Sequence, residues 1–158
     1  MGVFMEVKMP EIAEMVKRGV IDTVQLHAPC AFEVSEAQIS ELRRATKGAE
    51  LQIIRAFGVS DTTLLHEAER TSADLVLLDN PRGGSGEAFD HALLEGFARP
   101  YILSGGLTPE NVAPLLERWR PWGVDVSSGI EVAGQKNRDK MIAFLKAVRM
   151  FDGEGIGR

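Results

Sequence analysis

The sequence predicts an α/β fold built on a parallel sheet, and three observations lead to this prediction. Six short apolar runs occur in the 158 residues, segments with helical periodicity lie between them, and the runs begin about 20 to 30 residues apart. This is the period of βα units, which occur both in doubly wound sheets and in closed barrels. We expect one domain over residues 1–150, followed by a flexible, glycine-rich tail over residues 151–158.

The six predicted strands are continuously apolar or rich in β-branched residues. In chain order they are GVFM (2–5), TVQLHA (23–28), LQIIRAF (51–57), ADLVLLD (73–79), YILSGG (101–106) and VDVSSG (124–129). Continuous apolarity is typical of strands that are buried on both faces. The runs therefore favour a parallel sheet over an antiparallel one.

The segments between the strands carry apolar residues at helical spacing. The positions are Ile12, Met15 and Val16, then Ile39 and Leu42, then Leu64, Leu65 and Ala68, then Val112, Leu115, Leu116 and Trp119, and finally Met141, Phe144, Leu145 and Val148. A further apolar segment around Phe89–Phe97 is interrupted by Gly96. Helix starts are predicted from a capping box at Ser35 and Gln38, from Ser60–Asp61 and from Asn137.

The peptide LSGGLTPENV (103–112) combines a strand end, a glycine turn and a helix start. Thr108 is expected to cap a helix whose first residue is Pro109. Backbone N–H groups at such a start are free to hold an anion. This turn is therefore a candidate anion site.

Composition and charge exclude several classes of function. With 44% hydrophobic and 26% charged residues and no apolar run of membrane-spanning length, the chain is expected to be cytoplasmic, with no membrane partner. A formal net charge of −5 argues against a nucleic-acid partner. Cys30 is the only cysteine and the three histidines have no ligand spacing, so neither a disulfide nor a metal site is expected.

Polar residues and glycines collect where the predicted strands end. His27, Arg55 and Asp79 lie at or near the ends of the second, third and fourth strands. The last two strands end in Gly105–Gly106 and Ser127–Gly129. Because parallel α/β folds build their active sites at the carboxyl ends of the strands, we expect these residues to share one site. Two such turns after the final strands also match the phosphate site of barrels.

Several motifs together resemble one enzyme family. VFM, VQLHA, LLDNPRGGSGEAFD, LSGGLTPENV, VDVSSGIE and GQKNRDKM occur in the order and spacing of phosphoribosylanthranilate isomerase, a barrel enzyme of tryptophan biosynthesis. The resemblance runs from Gly2 to about Val148. It implies the TIM (β/α)₈-barrel fold, incomplete with about six βα units, because the first strand here resembles the third strand of the family.

The resemblance also implies a reaction and the residues for it. The family converts N-(5-phosphoribosyl)anthranilate to 1-(2-carboxyphenylamino)-1-deoxyribulose 5-phosphate by an Amadori rearrangement without a cofactor. This chemistry needs an acid for the ring oxygen and a base for the C2′ proton. The family's acid corresponds to Asp79. Its phosphate site and a loop that can close over the substrate correspond to Gly105, Gly106, Ser128 and Gly129, and to Gly83, Gly84 and Gly86.

Alternatives remain open for several of these residues. Asp79 can instead cap the following turn, and the three loop glycines can form no more than a mobile connection. His27 can be a wall residue of the substrate site or a proton carrier. Arg55 can bind the substrate or pair with a helix carboxylate.

The sequence departs from the family in its general base. The family's base is a cysteine in a K-I-C-G motif, which this sequence does not contain, and Cys30 follows a different strand. Two functions are therefore kept: an active isomerase, and a truncated, non-catalytic fragment that binds phosphosugars. Unpaired sheet edges at GVFM and VDVSS predict a homodimer that covers them.

Overall fold

The computed structural model describes residues 1–6, 8–27, 34–82 and 86–155. Its main element is a six-stranded parallel sheet in which the strands lie in sequential order from β1 to β6. The strands are β1 (Gly2–Phe4), β2 (Thr23–Leu26), β3 (Gln52–Gly58), β4 (Leu75–Asp79), β5 (Tyr101–Leu103) and β6 (Gly123–Val124). All six predicted strands are confirmed, although every strand except β3 is shorter than predicted. After β5, a turn at Gly105 and Gly106, both with positive φ, ends the strand.

Among the described residues, five α-helices follow the strands, one after each strand except β4. They are α1 (Met9–Lys17), α2 (Glu36–Ala45), α3 (Thr62–Arg70), α4 (Val112–Trp119) and α5 (Arg138–Gly155). The capping box is confirmed: the Gln38 N–H donates to Ser35 Oγ over 3.3 Å, and the Ser35 N–H donates to Gln38 Oε1 over 2.9 Å. The side chains of Asp61 and Asn137 accept N–H donors at the starts of α3 and α5. No helix within the described ranges is both long and apolar enough to span a bilayer.

The two faces of the sheet differ in what covers them. On one face, Val76 and Leu78 of β4 belong to a core that also contains apolar residues of α3, α4 and α5. On the other face, Ile54, Leu75 and Leu77 pack mainly against one another, with no helix residue among them. A doubly wound sheet carries helices on both faces, whereas a barrel carries them only outside. The sequential strand order and the one-sided helices therefore define a barrel-type sheet.

The sheet has two unpaired edges. Within the described residues, β1 pairs only with β2, and β6 pairs only with β5. Val3 of β1 lies on the inner face, since its register partner Gln25 is in turn paired with Ile54. The Val3 side chain is 54% exposed although it is apolar and part of a strand.

Two of the predicted helical segments differ from the structure. Helix α4 begins at Val112 rather than Pro109, because Thr108 and Asn111 close a separate turn: the Thr108 N–H donates to Asn111 Oδ1 over 2.8 Å. The interrupted segment near Gly96 forms only a short 3₁₀ helix, His91–Leu94. Helix α5 extends to Gly155, and residues 156–158 lie outside the described ranges. The flexible tail expected over residues 151–158 stays a prediction.

Candidate active site

A cavity of ≈ 900 Å³ lies at the carboxyl ends of the strands. Its wall includes side chains or backbone from the end of every strand from β2 to β6: His27, Gly58, Asp79, Ser104, Gly105, Gly106, Asp125, Ser128 and Gly129. All but Gly58, Ser104 and Asp125 were predicted as site residues from the sequence. The structure therefore brings most of the predicted residues together in one place.

Asp79 is the last residue of β4 and lies on the inner face of the sheet. Leu75 and Leu77 precede it on the same face, so strand alternation directs the Asp79 side chain into the barrel side. The residue is only 9% exposed, and the Asn80 N–H donates to Asp79 Oδ1 over 2.7 Å. This bond is a local turn contact, so the capping alternative and the acid alternative are compatible.

The surroundings of Asp79 favour its protonated form. Burial raises the pKa of the Asp79 carboxyl, and the negative charge of Asp125 raises it further. The Asn80 N–H, the charge of His27 and the Ser104 hydroxyl oppose this rise, but the pKa remains above its ordinary value. A carboxyl group with a raised pKa can donate a proton near neutral pH.

Ser104 and Asp125 lie beside Asp79 at the carboxyl ends of the next two strands. Ser104 follows β5 and Asp125 follows β6, and the Ser104 hydroxyl donates to Asp125 Oδ2 over 3.5 Å. Ser104 was not predicted as a site residue from the sequence, and no role was predicted for Asp125. The alternation of Val124, Asp125 and Val126 already indicates that the aspartate side chain and its neighbours point to opposite faces.

The glycine turn after β5 allows a close approach to Asp79. Gly105 has φ +86°, and a Cβ atom there would lie 2.8 Å from Asp79 Oδ1. At Gly106, with φ +63°, a Cβ atom would lie 2.5 Å from the Ala88 N atom. Any larger residue would therefore collide with the acid or with the neighbouring loop.

The turn after β6 packs directly onto the turn after β5. A Cβ atom at Gly129 would lie 1.7 Å from the carbonyl oxygen of Leu107. Ser128 begins a short 3₁₀ helix, and its Oγ would lie 3.1 Å from a Cβ atom at Gly86. The predicted residues Gly86, Gly106, Ser128 and Gly129 thus share one corner of the cavity.

Backbone donors in this corner are open to a ligand. Among the hydrogen bonds between described residues, none uses the N–H group of Gly105, Gly106, Ser128 or Gly129. Convergent N–H groups of this kind hold phosphate in other α/β folds. Gly83 and Gly84, which were predicted to contribute a closing loop, lie outside the described residues.

Arg55 lies in an ion-pair network with the helices. Its neighbours Ile53 and Phe57 belong to the helix-covered cores, so β3 directs the Arg55 side chain away from the inner face. The guanidinium forms ion pairs with Glu36 of α2, at 2.9 Å, and with Glu67 of α3, and it is only 4% exposed although Arg55 contributes to the cavity wall. The geometry favours the helix-carboxylate alternative over substrate binding for this residue.

His27 follows β2 at the rim of the cavity. Its N–H donates to the Phe4 carbonyl over 3.0 Å, which extends the pairing between the first two strands by one residue. The residue lines the cavity and acts on Asp79 through its charge. Both the wall role and the proton-carrier role fit this position. Among the described residues, no group of three or more His, Cys, Asp or Glu side chains is arranged to hold a metal ion.

Sequential parallel strands, helices on a single face and a polar cavity at the carboxyl ends of the strands define a (β/α)-barrel protein. The N-(5'phosphoribosyl)anthranilate (PRA) isomerase family model matches residues 1–147, and the chain belongs to this family.

Individual relatives agree with this assignment. The chain is 37% identical over 142 residues to the N-(5'-phosphoribosyl)anthranilate isomerase of Lactiplantibacillus plantarum. This match covers 89% of the present chain and 62% of that protein. The phosphoribosyl anthranilate isomerase structure from Thermus thermophilus superposes with a TM-score of 0.77 at 28% identity, over 94% of this chain and 71% of that chain.

A further solved isomerase, in complex with reduced 1-(o-carboxyphenylamino)-1-deoxyribulose 5-phosphate, superposes with a TM-score of 0.74 at 29% identity. That match covers 94% of this chain and 70% of the solved chain. The present chain therefore spans between about three fifths and three quarters of the length of these relatives.

Proposed function

We propose that the chain catalyses the Amadori rearrangement of N-(5'-phosphoribosyl)anthranilate, with Asp79 as the general acid. The observation that supports this proposal most strongly is the position of Asp79. Its carboxyl is buried and has a raised pKa, and it lies beside the turns whose N–H groups are open to a phosphate. A solved relative binds reduced 1-(o-carboxyphenylamino)-1-deoxyribulose 5-phosphate, which carries the same phosphosugar chemistry. The activity belongs to tryptophan biosynthesis, and we propose a cytoplasmic location for it.

In the proposed first step, the Asp79 carboxyl donates its proton to the furanose ring oxygen. The C1′–O bond breaks, the oxygen becomes a hydroxyl group, and the nitrogen lone pair forms the C1′=N bond of a protonated Schiff base. Because burial and the charge of Asp125 raise the pKa of Asp79, this carboxyl is better suited to donate a proton than an ordinary aspartate.

In the second step, a base removes the proton from C2′. The electron pair of the broken C–H bond forms the C1′=C2′ bond, and the C1′=N electrons return to nitrogen, which gives an enolamine. Tautomerisation of this enolamine yields the 2′-ketone product. The family cysteine motif is not in this sequence, and Cys30 lies outside the described residues, so the proposal assigns no residue to the base.

The phosphate of the substrate is proposed to bind between the turns after β5 and β6. The N–H groups of Gly105, Gly106, Ser128 and Gly129 supply donors, and the absence of Cβ atoms at three of these residues lets the oxygens approach the backbone. In this proposed arrangement, the phosphate end of the substrate is held at the turns, and the furanose ring oxygen lies toward Asp79.

A turnover assay tests the proposal. The substrate is generated in situ, and its fluorescence loss is followed with the unaltered chain, with Asp79→Asn and with Asp139→Asn, an exposed aspartate on α5. We expect turnover to fall at least about 100-fold for Asp79→Asn and to stay unchanged for Asp139→Asn. Equal turnover in all three proteins would overturn the assignment of Asp79.

The second candidate is a non-catalytic phosphosugar-binding fragment. It is favoured by two observations: the K-I-C-G motif is not in the sequence, and the chain covers 62% of one curated relative. Binding of inorganic phosphate by a folded chain that shows no turnover would support this candidate against the isomerase.

We also propose that β1–β6 correspond to the third to eighth strands of the family barrel, and that a second copy of the chain covers their open edges. The support is the unpaired edge of β1 with its exposed inner-face side chain Val3. Sedimentation velocity at micromolar concentration tests this proposal, since a stable monomer would contradict it.

A further inference from the structure

Lys136 makes three contacts beneath the turn that follows β6. Its Nζ donates to the Ser127 carbonyl over 2.9 Å, to Ser127 Oγ over 3.2 Å and to Glu131 Oε1 over 2.7 Å. A lysine ammonium group has three N–H donors, so these acceptors account for all of them. The Lys136 ammonium group therefore has no N–H donor left for a ligand in the cavity, and Lys136 is not part of the cavity wall.

A small hairpin brings Lys136 to this position. Strands β7 (Glu131–Val132) and β8 (Gln135–Lys136) pair antiparallel, and Glu131 lies directly opposite Lys136. The connecting residues Ala133 and Gly134 both have positive φ, as a tight two-residue hairpin turn requires. The hairpin therefore places the Lys136 ammonium group within hydrogen-bond distance of Ser127.

Fixing the Ser127 carbonyl also fixes the next N–H group. In a trans peptide, the C=O of one residue and the N–H of the next point in opposite directions. The Ser127 carbonyl accepts from Lys136 and, over 3.4 Å, from the Ile130 N–H. The Ser128 N–H must then point away from the lysine.

We propose that Lys136 is a positioning residue that aims the Ser128 N–H group at the phosphate of the substrate. The inference rests on the proposed function, because it assumes that this turn binds the phosphosugar. The lysine does not touch the substrate: it orients the backbone that does.

The test compares Lys136→Met and Lys136→Arg with the control Lys146→Met, which removes the same charge from an exposed position on α5. We expect Lys136→Met to raise KM about tenfold and to weaken inorganic phosphate binding by the same factor, with kcat within about twofold. Lys136→Arg restores part of the affinity because it still donates to the carbonyl. The control leaves both constants unchanged.

Amide NMR spectra of the same variants give a readout that does not depend on turnover. Lys136→Met should shift the Ser128 and Gly129 amide signals, while those of Gly105 and Gly106 stay in place. If the unaltered chain binds phosphate and Lys136→Met binds it equally well, this inference is wrong while the proposed function stands. If the unaltered chain binds no phosphate, the phosphate site of the proposed function fails and the inference fails with it.

Discussion

At the scale of single residues, burial has the largest effect on the pKa of the proposed acid, Asp79, and raises it. Two neighbouring charges of opposite sign modify this pKa: the charge of His27 lowers it, and the charge of Asp125 raises it. Asp125 directly follows β6 and His27 directly follows β2, and these two strands lie on opposite sides of β4 in the sheet. Residues that follow strands on both sides of β4 therefore affect the pKa of the Asp79 carboxyl.

This arrangement predicts opposite pKa shifts for two variants. Asp125→Asn removes a negative charge and should lower the pKa of Asp79, whereas His27→Gln removes a positive charge and should raise it. The ¹³C signal of the Asp79 carboxyl, followed through a pH titration, measures both shifts directly. If Asp79 is the acid, the fall of kcat/KM at high pH should move to lower pH in Asp125→Asn.

A shift in the same direction for both variants, or none for either, would contradict the charge assignment. Asp90→Asn serves as the control, because Asp90 caps the 3₁₀ helix and is not among the residues that shift the pKa of Asp79.

At the scale of elements, an arginine network joins β3 to the helices that flank it. The Arg55 guanidinium binds Glu36 at the start of α2 and Glu67 within α3, and it lies 4.4 Å from the centre of the Phe57 ring. Glu36 also accepts from Ser72, which precedes β4, with its N–H 2.9 Å away. One buried cation therefore ties together the start of one helix, the middle of another and the strand between them.

The pKa of Glu36 makes this network sensitive to acid. Burial opposes ionisation, but hydrogen bonds from Ser72 and Thr71 and the charge of Arg55 outweigh it and lower the pKa of Glu36 to about 2. Because this folded-state pKa lies below the ordinary value of 4.5, the stabilisation is present above that value and is lost as pH falls toward 2.

Glu36→Gln should therefore lower the free energy of unfolding by about 1 kcal/mol at pH 7 and by less at pH 3. The figure is small because the Glu36 side chain is 47% exposed, so solvent screens its interaction with Arg55. Urea unfolding at both pH values measures the change. The control is Glu41→Gln, on the exposed side of the same helix, which should change stability by less than about 0.5 kcal/mol at either pH. An equal loss at pH 7 and pH 3 would show that the ionised carboxylate is not the source of the stability.

The elements were predictable from the sequence to the extent that their signals are local. The capping box at Ser35 and the apolar runs of the strands are patterns of neighbouring residues, and the structure confirms them. The partners of Arg55 lie 19 and 12 residues away, so no local pattern could decide between ion pairing and substrate binding. Ser104 was missed for a related reason: its role depends on Asp125, a residue of the next strand.

At the scale of the whole molecule, the main physical problem is closure of the barrel. Closure pairs every strand on both sides, but β1 and β6 of the described chain each have one neighbour. The inner face near β1 exposes apolar side chains, with Val3 and Met5 both 54% exposed. Apolar surface at an unpaired edge favours association.

Val3→Lys tests whether a second copy covers this edge. Val3 faces the barrel side of β1, so a partner seated there would have to bury the new charge without a counter-ion, and we expect the dimer dissociation constant to rise about 100-fold or more. Val132→Lys is a matched control, because Val132 is also 54% exposed but lies on the β7–β8 hairpin. Sedimentation velocity over a concentration series measures both constants. Equal association of the two variants would place any interface elsewhere on the molecule, whereas selective dissociation of Val3→Lys would show that the open edge of the barrel is what the second copy covers.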